Sequence, residues 1–358
     1  MDIDRNILIR WLTPLWGEIA VDDLVIESAG EGNMNVVLRV IDRSGRSQPD
    51  RVIVKQSLPY VRRYPSIAAP VDRIEAERQF YEQTGGTEAG KHMPELLSVI
   101  PDDHVMVLED LGGASDRVDV YGDVRRFPVD EAMRWLNHLH AIEVRNDARC
   151  AALLELNAAH MFDIPWDDPP AFDAASVGPE LARVADGLRH GKRIETIRRS
   201  VNDLKHWYLC PPGAEAVLCH GDFYPGSWLA VTSHDATAKR ETAKKEMAKQ
   251  NSFRVIDPEF TLRGPREFDV AVAAAHHRLC DGSERLLNSI DAITKNYAQG
   301  LDLERTMRMA AAEVTRRLIG VAQLPLTLDD AARAERLAEA GEVLASEPTG
   351  EFPDVPGR

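Results

Sequence analysis

Apolar positions follow two different spacings along this chain, and the change between them falls near residue 111. Residues 5–20 (RNILIRWLTPLWGEIA) have the spacing of a short amphipathic helix, expected to break near Pro14 because proline removes a backbone donor. Short β-rich runs come next. Leu24–Ile26 and Val36–Ile41 flank Gly30-Glu31-Gly32-Asn33, which predicts a hairpin whose glycines let backbone N–H groups come close to a phosphate. Taken alone, such a hairpin is usually only a turn. After a polar turn at 42–50, RVIVKQSLPY predicts a strand carrying Lys55, and VDRIEAERQFYEQ predicts a helix over about 71–83. Residues 96–111 predict two strands around a Pro-Asp-Asp turn. The second, Val105–Leu108, runs through Glu109-Asp110-Leu111 into Gly112-Gly113, as a hinge or a plain domain linker would.

Beyond residue 111 the spacing turns helical. Val129, Ala132, Met133, Leu136 and Leu139 mark one buried helix. His138 and His140 lie two apart on it, on different faces, and lack metal-ligand spacing, so they read as structural. Residues 163–178 are rich in Pro and Asp and read as a loop, and 179–209 as helix. Further helical stretches are expected at about 269–282, at 285–320 with a break near Gly300, and at 328–346. By burial tendency alone, Arg316-Arg317 read as a solvated helix face. The last dozen residues read as a frayed tail.

One block interrupts the helices. Residues 217–270 read as an apolar strand, a His220-Gly221-Asp222 turn, a second strand, a polar stretch, and a third strand ending in Asp257-Pro258-Glu259. The polar stretch, 234–250, is rich in lysine and alanine and reads as a solvated insertion. Asp222 and Asp257 each follow an apolar run, so two carboxylates are expected side by side at the ends of neighbouring strands. Like charges at close range need neutralising. Mg²⁺ with a phosphate does this, since the ion favours one or two carboxylates plus phosphate oxygens. The pattern points to phosphoryl transfer, with Asp222 as base and Asp257 on the metal. The order of glycine hairpin, strand lysine and acid-bearing helix fits, because a lysine on α/β-phosphates is commonly fixed by a helix glutamate. Glu75 is the expected partner and Glu77 the second candidate; two residues apart, they cannot share a face.

Composition narrows the classes. A chain of 358 residues with 44% hydrophobic content has room for two or three domains or lobes and a large core. With 43 Lys and Arg against 58 Asp and Glu, the net charge of −15 argues against nucleic acid or an anionic membrane as main partner, though not against a nucleotide. No apolar run approaches the ~20 residues of a spanning helix. MDIDRNILIR lacks the apolar segment of a secretory signal. The four cysteines show no CxxC spacing and read as free thiols of a reducing cytoplasm.

Several strings together resemble one family. They are GEGNMN (Gly30–Asn35), VKQSLPYVR (Val54–Arg62), DRIEAE (Asp72–Glu77), VLEDL (Val107–Leu111), HGDFYPGS (His220–Ser227), VIDPEFTLRGPREFD (Val255–Asp269) and TRRLIGVA (Thr315–Ala322). In this order they resemble the aminoglycoside phosphotransferase/choline kinase-like group, and within it the 5-methylthioribose kinases. The resemblance implies a protein-kinase-like α+β fold in two lobes. The N-terminal lobe, about 1–110, would hold an antiparallel sheet, and a mainly helical C-terminal lobe, 111–346, would carry the catalytic and metal site, with ATP expected between them. It implies roles as well. Gly30, Gly32, Asn33 and Asn35 would cover the ATP phosphates, Lys55 with Glu75 would hold them, and the backbone of Glu109, Asp110 and Leu111 would bind adenine. Asp222 would be the base. Asp257 and Glu259, with Ser227, would hold Mg²⁺. Arg316 and Arg317 would meet acceptor and transferring phosphate, as a planar guanidinium suits phosphate oxygens. The implied acceptor is S-methyl-5-thioribose at its anomeric hydroxyl, with another small sugar or amino alcohol as the alternative; the implied assembly is a homodimer. The chain differs from those kinases at Tyr224-Pro225, where they carry histidine-threonine, and in the short RRYPSIAAP stretch after LPYV. A non-catalytic nucleotide scaffold would need a broken catalytic set, and a phosphatase or nuclease would leave Lys55 and the hairpin without a task.

Overall fold

The computed structural model describes residues 4–30, 34–144, 150–167, 177–210, 216–231, 253–321 and 323–347. Gly32, Asn33, the 234–250 stretch and residues 348–358 lie outside them. Two compact units make up the chain. The first comprises Met1–Ser115, Arg145–Leu153 and Leu229–Thr261; the second comprises Asp116–Val144, Leu154–Trp228 and Leu262–Arg358.

In the first unit, helix α1 (Arg5–Trp16) starts at Asp4, whose carboxylate accepts from the Asn6 N–H. Leu8, Trp11, Leu12 and Trp16 recur at helical spacing and are buried. Pro14 sits inside the helix rather than breaking it. Trp11 and Trp16, buried on either side of it, hold this last turn in place, and Gly17 in the left-handed region ends it. The sheet contains β1 (Leu24–Ser28), β2 (Val36–Asp42), β3 (Arg51–Gln56), β6 (Leu96–Ile100) and β7 (Val105–Glu109), in the order β1-β2-β3-β7-β6, every pair antiparallel. Val52 and Val54 turn one face of β3 to α1, together with Val40, Val105 and Val107. With a side-chain period of two, Lys55 faces the other way. A small hairpin, β4 (Tyr60–Val61) with β5 (Tyr64–Ala68), leads into α2 (Arg73–Thr84).

The second unit is mainly helical: α3 (Val129–Leu139), α5 (Pro179–Arg189), α6 (Ile194–Leu209), α7 (Arg266–Arg278), α8 (Leu286–Thr294), α9 (Leu303–Ile319) and α10 (Asp330–Ala345); α4 (Ala151–Ala158) spans the unit boundary. The stretch 179–209 is two helices, and the break near Gly300 separates α8 from α9. Helix α9 packs against α7 and α10 and is buried almost continuously from Thr306 to Ile319. Arg316 and Arg317 lie on it at 5% exposure each, so the solvated-face reading is overturned. The expectation of neighbouring strands also fails. Strand β9 (Ala216–Cys219), which leads to Asp222, pairs with β12 (Leu262–Pro265), whereas β11 (Phe253–Val255), which leads to Asp257, joins β10 (Trp228–Val231) and β8 (Ala114–Asp116). Buried Leu262 stands opposite Cys219 and Gly264 opposite Val217, so β9 finds its apolar partner in a later segment rather than in the next strand.

Leu12 is fully buried between α1 and the sheet. Leu12→Ala is expected to destabilise the first unit by about 2–5 kcal/mol, read from urea unfolding.

Candidate active site

Each unit holds its own cluster of buried charge. In the first, Lys55 is 5% exposed. Its Nζ lies 2.8 Å from Glu77 Oε1 and also bonds Asp257. Asp257 follows β11 in the left-handed region, at φ 66°, where a residue with a side chain is uncommon. Its side chain keeps 46% exposure. Two residues on, Glu259 is buried and accepts from Asn35 Nδ2 at 2.8 Å. Arg73 at the start of α2 donates from Nε to Asn35 Oδ1 (3.0 Å), from Nη1 to the Leu58 and Pro70 carbonyls, and from Nη2 to the Met34 carbonyl.

Three carboxylates, Glu77, Asp257 and Glu259, thus face two cations, Lys55 and Arg73. Burial acts to lower the Lys55 pKa, but the surrounding carboxylates outweigh it and hold the ammonium above its usual value. Burial, joined by the Asp257 charge, pushes the Glu259 carboxyl up. Burial also pushes Glu77 up, to about 7, although Lys55 pulls the other way. Three carboxyl groups gathered around two cations, with Asp257 open to solvent, suit a divalent cation, which would favour their ionised forms.

Glu75 is not the lysine partner. It is exposed and binds Arg78, with Nε to Oε2 at 2.7 Å. Buried Ile74, Glu77, Tyr81 and Thr84 recur at helical spacing, and Glu75 falls off that face. The periodicity of VDRIEAERQFYEQ already contained this signal. At the end of β7, the Asp110 carboxylate is 2% exposed and takes a two-point contact from Arg39, at 2.8 and 3.1 Å, plus the Gly112 N–H at 3.0 Å. Glu109 Oε2 accepts from the Glu95 N–H. Leu111 is half-buried beside them, and Gly30 is exposed at φ 94°.

In the second unit, the His220-Gly221-Asp222 turn hangs on Asp269 of α7. Its two oxygens accept from the His220 N–H (2.7 Å) and the Gly221 N–H (3.0 Å). Gly221 takes φ 86°, which suits glycine. His140 supports this carboxylate from Nε2 at 3.2 Å, and its Nδ1 meets the Tyr297 hydroxyl at 2.6 Å. Cys219 lies beside them, but burial pushes its thiol up, and it donates to the Pro265 carbonyl, so the trio is a hydrogen-bonded brace rather than a thiolate metal site. The Ser227 hydroxyl donates to the Asp222 carbonyl at 3.0 Å and closes the turn.

The Asp222 side chain meets α9. Arg317 Nη2 donates to Asp222 Oδ1 at 2.8 Å, and Arg316 Nη1 lies 3.9 Å from the same oxygen. Arg316 Nε is buried and has no hydrogen-bond partner among the described residues. Below the pair lies Glu313, fully buried, which accepts from Arg316 Nη1 (3.1 Å) and Arg317 Nε (2.6 Å). Burial disfavours its charge, but the two guanidinium groups hold it well below the usual carboxylate range. Glu313, His276, Asp269 and Arg73 were not singled out from the sequence. For Glu313 a signal exists: an acid three and four residues before a double arginine on a helix shares their face.

No protein-family model matches the chain. The methylthioribose kinase of Klebsiella pneumoniae is 28% identical over 339 residues, 90% of this chain and 70% of that protein. That of Erwinia tasmaniensis is 27% identical over 305 residues, covering 76% and 67%. Among solved structures, a choline kinase from Streptococcus pneumoniae has a TM-score of 0.51 at 12% identity over 96% of this chain and 99% of its own. A choline kinase from Cryptosporidium parvum has 0.51 at 13% identity, covering 95% of each. These structures show that the fold is protein-kinase-like.

Glu77→Ala is expected to cost about 2 kcal/mol or more, because it strips a buried ammonium of one counter-charge, while Glu75→Ala stays within about 0.5 kcal/mol. Equal effects in chemical denaturation would contradict the assignment of the partner. His276 gives a pH dependence. Burial, against the pull of Glu313, pushes its imidazole down to about 4 from 6.5. Between those values the unfolded chain binds more protons, so stability is full above about pH 6.5 and falls as pH drops towards 4, by up to about 3 kcal/mol. Urea unfolding at pH 7 and pH 5 should show a smaller difference in His276→Asn than in the parent.

Proposed function

We propose that this chain, a methylthioribose kinase-like member of the aminoglycoside phosphotransferase/choline kinase-like family, phosphorylates the anomeric hydroxyl of S-methyl-5-thioribose using ATP and Mg²⁺. It is a phosphotransferase with an alcohol group as acceptor. One observation carries the finer reading. Asp222 is held through one oxygen by Arg317, while Arg316 beside it keeps a buried N–H without a partner among the described residues.

The remaining Asp222 oxygen would accept the proton of the acceptor hydroxyl as it attacks. Arg317 fixes the carboxylate's orientation. The free Arg316 donor would serve the transferring phosphoryl, where negative charge builds up. Two arginines disfavour a strongly cationic acceptor, by simple repulsion. They suit a neutral sugar such as a thioribose.

On the nucleotide side, Lys55, fixed by Glu77, would hold the α/β-phosphates, and the 30–35 hairpin would cover them. The backbone at 109–111 would take the adenine, steadied by the Arg39–Asp110 pair. Asp257, with Glu259 behind it, would hold Mg²⁺, which supplies charge neutralisation at the phosphates. Ser227, also expected among the metal groups, donates its hydroxyl proton to the Asp222 carbonyl and keeps its oxygen lone pairs for a cation. The alternative is the same chemistry on another small sugar or amino alcohol, since Tyr224 and Pro225 stand where those kinases carry histidine-threonine.

ADP release with ATP and Mg²⁺ should be measured against methylthioribose, ribose, other pentoses, choline, homoserine and an aminoglycoside. Turnover on methylthioribose is expected, reduced ~10²–10⁴-fold in Asp222→Ala. Turnover confined to a different acceptor would replace the substrate and keep the mechanism. Tight ATP binding without turnover on any acceptor would overturn the kinase reading.

A further inference from the structure

Behind the arginine pair lies a chain of buried hydrogen bonds. Glu313 is ionised between Arg316 and Arg317, so it can only accept. His276 Nε2, 3.2 Å from Glu313 Oε1, must therefore carry the proton and donate it. That leaves Nδ1 as acceptor. The Tyr121 hydroxyl, 2.6 Å from Nδ1 and kept neutral by burial, donates to it. The imidazole is thus fixed in one tautomer from both sides. Tyr121, His276 and Glu313 are all fully buried.

A second contact ties this chain to the Asp222 turn. The Tyr224 ring packs against both the Arg317 guanidinium, 4.7 Å away, and the His276 ring, 5.1 Å away. Gly226 makes this stacking possible: a Cβ there would come within 2.5 Å of the Tyr224 ring.

We infer that Glu313 is the positioning residue of the reaction, a buried carboxylate that orients both arginines and, through Arg317, aims Asp222, with His276 and Tyr121 fixing the carboxylate in turn. The inference rests on the kinase reading above for its kinetic consequences and on geometry alone for the rest. Glu313 contributes no group to acceptor or nucleotide. Its effect is confined to the second unit's half of the chemistry. Replacing it by glutamine keeps the volume but sets an amide among donors and leaves the two guanidinium groups with Asp222 as their remaining anion among the described residues. Small errors in aim are expensive in phosphoryl transfer, since a misplacement of about 1 Å costs ~10²-fold.

The experiment compares Glu313→Gln and Glu313→Asp with the parent by two readouts. In steady-state kinetics, Glu313→Gln is expected to lower kcat ~10²-fold and raise the acceptor KM, with the ATP KM changed less than about twofold, and Glu313→Asp to recover part of kcat. In ¹⁵N–¹H spectra of the arginine Nε–H groups, the Arg317 signal is expected to be slow to exchange with solvent in the parent and fast in Glu313→Gln. Unchanged kinetics and exchange would overturn the inference, and so would an equal loss of ATP and acceptor binding that merely follows the folded fraction. Should Glu313→Gln not fold, Tyr121→Phe removes only the terminal hydroxyl. It should raise the acceptor KM several-fold with the ATP KM unchanged, and parent-like values there would overturn the inference. If the parent turns over no acceptor, the kinase reading fails, and the spectra still decide the role of Glu313.

Discussion

Taking an ionised group out of water costs several kcal/mol unless opposite charge and hydrogen bonds replace the solvent. Both units of this chain meet that constraint at their centres, and much of the local structure follows from it. Glu313 could not sit fully buried on α9 without Arg316 and Arg317 beside it, and the arginines could not be buried without Glu313 and Asp222. The His220–Asp222 turn keeps its shape because Asp269 accepts two backbone N–H groups that would otherwise be stranded. In the first unit, Arg73 uses its whole guanidinium fork to gather the base of the glycine hairpin, the β3–β4 turn and the Asp257–Glu259 segment.

The two sets differ in composition, the first rich in carboxyl oxygens and the second in N–H donors, and that difference has chemical meaning. The first unit's set gathers three carboxyl groups around two cations and presents Asp257 to solvent, an arrangement that suits a metal cation. In the second unit charges are equal but donors exceed acceptors, as the Arg316 N–H without a partner among the described residues shows. Surplus donors favour oxygen-rich groups such as hydroxyls and phosphates. Phosphoryl transfer between an alcohol and a metal-bound nucleotide asks for this division of labour.

Much of the architecture was legible in the sequence, because period and turn chemistry act locally. The strands of the sheet, α2, α3 and the breaks near Gly300 and in 96–111 follow from apolar spacing alone. What could not be read depends on partners distant in the chain. Glu75 and Glu77 differ only in helix face, and Glu77 wins because its face is the buried one. Arg316 and Arg317 looked solvent-bound, since nothing local announces that a helix will be surrounded on all sides. Strand β9 was assigned the wrong neighbour, as pairing across forty residues is invisible to periodicity. Pro14 was expected to break a helix that packing keeps whole. The strings that resemble methylthioribose kinases singled out Arg316 and Arg317, which burial tendency had read as solvated, but Glu313 and His276 came only from side-chain geometry.

The place where Tyr224 fits over a residue without a side chain has a consequence for how this sequence can drift. Positions 224 and 226 are not independent. While the aromatic ring is present, any side chain at 226 collides with it; once the ring is replaced by something small, the restriction lifts. A side chain at 226 would therefore have to displace the tip of the Tyr224 ring, and with it the contacts to Arg317 and His276. The small residue at 226 and the aromatic contact on Arg317 are thus two ends of one packing arrangement.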